Sequence, residues 1–79
     1  MTKETMEYYK NEIEEINKLL KLIKWPGYGI SAVQNKINDK CLCIYDYHHK
    51  LLVKDDEGGL ITSTYLKGLK DGISIIQDK

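Results

Sequence analysis

Two thiols, a carboxylate and two imidazoles fall within nine positions of one stretch: Cys41, Cys43, Asp46, His48 and His49. These side chains bind soft metals, form disulfides and carry nucleophilic catalysis, so their spacing decides what chemistry is open to them. A structural zinc ion needs four ligands at about 2.0–2.3 Å. If residues 41–47 form a strand, a rise of about 3.4 Å per residue holds His49 roughly 20 Å from Cys43. The paired-Cys, paired-His spacing of a zinc finger is also absent. No metal and no cofactor is expected.

The same rise sets the two cysteines about 7 Å apart, against the Cβ separation of about 3.8 Å that a disulfide requires. Buried thiols acting as small hydrophobes are the expected role. Catalysis needs a nucleophile and a base within hydrogen-bond reach, and Asp46, Asp55 and Asp56 are candidate partners for His48 and His49. No local signature supports such a pair, and a chain of 79 residues encloses a water-excluding pocket with difficulty. A thiol or metal-dependent enzyme is therefore the third-ranked reading, with no catalytic residue assigned. As a strand, Cys41, Cys43, Tyr45 and Tyr47 point to one face, while Leu42, Ile44 and Asp46 point to the other, toward the helices. The HHK that follows reads as a hairpin turn.

The flanking segments must position this strand. Met6, Tyr9, Ile13, Ile16, Leu20 and Ile23 recur at spacings of 3 and 4, one continuous helical stripe over residues 3–24. Thr2 or Thr5 caps its start, glutamates fill its front and middle, and Lys18, Lys21 and Lys24 complement the dipole at its end. The stripe also reads as three heptads, so Ile13, Ile16 and Leu20 are candidate self-association residues beside the plainer reading of a helix packed on its own domain.

WPGYG, residues 25–29, ends that helix, because Pro26 biases Trp25 away from helical geometry. Trp25 and Tyr28 are read first as a lid over a small core and second as anchors for a partner. ISAVQ, CLCIYDY and KLLVK read as a three-stranded antiparallel meander separated by NKINDK and HH. The competing reading opens a short helix at Ser31, with Val33 and Ile37 on its inner face. KDDEGG is a solvated loop without calcium-loop spacing. Leu66, Leu69, Ile73 and Ile76 return to helical spacing over 62–77, capped by Thr62 or Ser63. Gly68 and Gly72 share one face there and suggest close approach of another backbone, either the first helix or a second subunit. The alternative breaks this helix at KDG and makes ISIIQ a fourth strand. The expected fold is a single α+β domain over 1–79, ordered α-β-β-β-α, with the helices on one face of the sheet.

Composition narrows the function classes. Twelve basic residues balance twelve acidic ones, and none of the bases is Arg. Phosphate neutralisation and bidentate base reading both favour a basic, Arg-bearing chain, so sequence-specific DNA binding is not expected. No apolar run is long enough to span a membrane and no secretory segment is evident, which suggests a cytoplasmic protein with reduced thiols. The Lys-, Ile-, Asn- and Tyr-rich usage suggests an AT-rich coding sequence from a low-GC bacterium or its phage. Trp25, Tyr28, Tyr45, Tyr47, His48, His49 and Lys50 compose an aromatic–imidazole contact surface, and Asp55, Asp56 and Glu57 an acidic loop able to mimic phosphate.

The leading functional expectation is a small non-enzymatic protein-binding module, a phage or mobile-element accessory protein that sterically inhibits a host protein. The alternative is a homodimer or higher homo-oligomer that binds a small anionic nucleotide, assembled through the heptad stripe and the glycine face.

Overall fold

The apolar stripe from Met6 to Ile16 forms one face of a helix. In the computed structural model, which describes residues 2–34, 41–56 and 58–78, α1 spans Lys3–Leu22 and buries Met6, Tyr9, Ile13 and Ile16. Thr2 is the N-cap; its hydroxyl accepts from the Thr5 amide at 3.2 Å. The helix stops two residues before the expected end. Trp25 N–H donates to Leu20 C=O and Lys24 N–H to Lys21 C=O, while Lys24 takes φ 54°. That pair of bonds around a left-handed residue is a Schellman turn, which closes the helix before Pro26 is reached.

Strands β1 (Ile30–Gln34), β2 (Leu42–Asp46) and β3 (Leu51–Asp55) form an antiparallel meander in the order β1-β2-β3. The strand reading of ISAVQ therefore holds over the described part of residues 30–40. NKINDK, including Ile37, lies outside the described residues. Ala32, Ile44 and Val53 stand side by side across the sheet, and a bulge falls between Ile44 and Tyr45 where β2 meets β3. Leu42, Ile44 and Val53 share one core with Met6, Tyr9, Ile13, Ile16, Leu66 and Ile73. One face of the sheet thus carries both helices, α1 over β1 and α2 over β3.

Helix α2 spans Leu60–Gln77 and starts two residues earlier than the sequence suggests. Its N-cap is Gly59, at φ 102° and without a side-chain cap. The role expected of Thr62 or Ser63 is taken by Asp55, whose buried Oδ2 accepts from the Thr62 amide at 3.1 Å. A carboxylate from the end of β3 thereby serves the first turn of α2, where free amides and the dipole both favour negative charge. The helix continues through ISIIQ, so no fourth strand forms.

Several self-association expectations need correction. Ile13 and Ile16 are buried in the chain's own core, and Leu20 packs against it, so the heptad stripe is consumed internally. A Cβ built on Gly68 or Gly72 meets no atom within 4 Å. The first helix makes no close approach to either glycine, and the space beside them is open.

Candidate functional site

Antiparallel pairing puts the start of β1 beside the end of β2, with Ile30 opposite Asp46. The WPGYG turn and the 47–50 hairpin therefore emerge at the same end of the sheet. Tyr28 and Tyr47 stack there, ring centroids 3.9 Å apart and planes 19° apart, and His48 meets Tyr47 edge-on at 4.7 Å. The stack is open to solvent: Tyr28 is 77% and Tyr47 48% exposed. His49 lines a shallow groove with Tyr28, Ser31 and Tyr47.

Local hydrogen bonds fix this cluster. Asp46 Oδ1 accepts from the amides of His48 at 2.9 Å and Lys50 at 3.0 Å, and Asp46 C=O accepts from His49 N–H. His49 takes the left-handed φ of 62° that closes the hairpin. On the other side, the Asn17 carboxamide donates to Ile30 C=O at 2.7 Å and accepts from Ile30 N–H at 3.0 Å, pinning the end of the WPGYG turn to α1. A Cβ at Gly29 would collide with that carboxamide, so glycine is needed there.

A cavity of about 330 Å³ opens behind the cluster, between the C-terminal halves of α1 and α2 and the Ile30–Asp46 end of the sheet. Its walls are apolar, from Leu20, Ile23, Trp25, Leu69, Ile73 and Ile76, and its polar lining side chains are Asp46 and Tyr65. Tyr65 is half-buried and its phenol is raised above the ordinary range, first by burial and then by the negative charge of Asp46. Trp25 is 49% exposed and edges this cavity, so it does not seal the core as a lid. Tyr28 does not either. Of the two roles considered for these aromatics, their exposure weighs against the lid.

The thiols sit at the other end of β2. Cys41 and Cys43 are both buried, with their sulfurs 3.6 Å apart in an S–H···S contact. This corrects the expectation that an extended strand holds them about 7 Å apart, because that rise separates backbone positions while side chains lean along the strand. Cys41 also precedes the ladder of β2 and is free of its pleat. The contact is well beyond a disulfide bond of about 2.05 Å. His48 and His49 lie past the opposite end of β2 and are exposed. Among the described residues no three of His, Cys, Asp and Glu gather as a metal-binding group.

The remaining candidates divide. Tyr45 is half-buried on the face of Cys43 rather than in the exposed cluster, and Cys43 raises its phenol above the ordinary range, chiefly through hydrogen bonding. Lys50 is exposed beside the hairpin. Asp55 is withdrawn from the acidic loop because it is buried against α2, while Asp56 is exposed and Glu57 lies outside the described residues. Sequence reading missed Asp46, Tyr65, Leu69 and Ile76 as lining residues. The available signal was Gly72, a glycine in a helix interior that lines the cavity. No helix among the described residues is long and apolar enough to cross a membrane. No protein-family model matches this chain, and neither a curated protein nor a solved structure is detectably similar to it.

Proposed function

We propose that the chain is a small non-enzymatic protein-binding module that masks a surface of a larger protein, docking through the end of the sheet where Tyr28, Tyr47 and His48 cluster. The supporting observation is the exposed Tyr28–Tyr47 stack, held in place by Asn17 and Asp46 and flanked by Trp25. Rigid aromatic side chains deliver contact area at low entropic cost and dominate binding hot spots. Holding them exposed without a core role is reasonable for a docking surface. A phage or mobile-element origin, with a host protein as target, fits the Arg-free, Lys- and Ile-rich composition.

Affinity capture from source cells with a tagged chain tests this reading. The Tyr28→Ala, Tyr47→Ala, His48→Ala triple variant should lose the partner, by about 100-fold or more if two hot-spot aromatics are removed. Tyr8→Ala, an exposed aromatic on α1 away from the cluster, should retain it. Retention by the triple variant would remove the docking assignment.

A second reading, self-association, is favoured by the sheet face opposite the helices, where Val33 and Leu51 are about half exposed. Light scattering that finds a strict monomer at millimolar concentration would eliminate it.

A further inference from the structure

The cavity between the two helices has features of a small-molecule site that the protein-docking reading does not use. We propose that it binds a compact apolar molecule carrying a protonated amine, with the apolar body among Leu20, Trp25, Leu69 and Ile73 and the ammonium at Asp46. Ligand pockets run from about 300 to 1,000 Å³, mostly apolar with a few convergent polar groups. At about 330 Å³ this one suits a single ring or a short branched chain.

The chemistry of the lining selects the charge. Among the described residues, Asp46 is the only charged one that lines it. One carboxylate oxygen already accepts the two hairpin amides, and a carboxylate has capacity for further donors. Tyr65 supplies a hydroxyl with no hydrogen-bond partner among the described residues. A carboxylate and an unpartnered phenol among apolar walls favour a cationic donor, because hydrogen bonds between an ionised donor and a carboxylate are stronger than neutral ones. An anion of the same shape would meet like charge.

Gly72 is the independent observation. Glycine in a helix interior costs about 1 kcal/mol relative to alanine, and no backbone approaches Gly72 to require it. Gly72 instead lines the cavity, with nothing within 4 Å of where its Cβ would be. A bulky side chain there would add atoms at the border of the cavity, where glycine leaves space.

Trp25 is the one tryptophan and borders the site, so its fluorescence reports occupancy. The probes are 2-phenylethylamine and phenylacetate, which share a ring and differ in charge. The amine should give a saturable change and bind about tenfold or more tighter than the acid, the scale of one charge-assisted hydrogen bond. Asp46→Asn keeps a side-chain oxygen for the hairpin amides and should bring the two probes to within about twofold. Gly72→Leu should stay folded by circular dichroism, melt no lower than the parent, and lose the response. Equal binding of the two probes, no saturable change with the parent protein, or an intact response in Gly72→Leu would each overturn the proposal. So would light scattering that shows a dimer converted to monomer by Gly72→Leu, since the occupant would then be a second copy.

Discussion

The helix pair is closed at one end and open at the other. Where α1 and α2 begin, the Tyr9 hydroxyl donates to Gly59 C=O at 3.1 Å and bonds the Ser63 hydroxyl, while Asp55 caps the first turn of α2. Lys70 bonds Glu12 and lies near Glu15, and that hydrogen bond to Glu12 is the main reason its ammonium is raised above the ordinary range. Where the helices finish, Leu20, Ile23, Ile73 and Ile76 surround a cavity, and Trp25, Ile75 and Ile76 stay largely in water. The polar groups of Tyr9, Ser63, Asp55, Lys70 and Glu12 at the first end are engaged in holding the fold, although the buried Thr62 hydroxyl beside them has no hydrogen-bond partner among the described residues. Those of the second, Asp46 and Tyr65, retain capacity for something else. In a chain this small, whose core is marginal, the ties between the helices are concentrated at one end.

Breaking the closed end should therefore cost the most. Gly59 takes a φ that L side chains rarely adopt, and a Cβ there would sit 2.6 Å from the Tyr9 hydroxyl. Gly59→Ala should destabilise by about 2–4 kcal/mol through backbone strain and the displaced tyrosine. The check is the urea midpoint, with Tyr9→Phe as a second background in which part of the penalty disappears. A loss of under about 0.5 kcal/mol, the range of ordinary surface substitutions, would show that the two ends are equivalent.

Asp55→Ala tests the same end through charge rather than shape. It removes the carboxylate that accepts from the Thr62 amide and leaves that amide buried. A lost cap and an orphaned donor together predict about 1–3 kcal/mol. Asp55→Asn, which keeps an acceptor oxygen, should recover part of it. If both variants melt like the parent, α2 starts without help from β3 and the contrast between the ends weakens.

The elements were legible where the pattern was local. The stripe from Met6 to Ile16 and the spacing of Leu66, Leu69 and Ile73 announce two helices whose cores the structure confirms. The three strand segments follow from β-branched and aromatic runs, and their meander order is the one found. What stayed hidden depended on distant partners. Asp55 looks like a loop carboxylate until β3 delivers it to the start of α2. Tyr28 and Tyr47 stand out in the sequence as candidate contact residues, but their stacking depends on the register that sets Ile30 against Asp46. The cavity is a gap between side chains of several elements, and no single segment encodes it. Gly68 and Gly72 suggest close approach of the first helix or a second subunit, and the first helix is not what stands beside them, since the chain leaves open space there.

The open end offers the smallest effect and the opposite sign. Lys24 holds the left-handed position of the Schellman turn that launches the WPGYG segment, a conformation costing an L residue roughly 1–2 kcal/mol. Glycine removes that strain but adds freedom to the unfolded chain worth about 0.4–1 kcal/mol. Lys24→Gly should therefore stabilise by about 0.5–1 kcal/mol, read as a higher urea midpoint at unchanged slope. The fluorescence of Trp25 should keep its wavelength, because the Trp25 N–H to Leu20 C=O bond is retained. A midpoint that falls would mean the Lys24 side chain carries contacts that outweigh its backbone strain, and the open end would then be less spare than its exposed aromatics suggest.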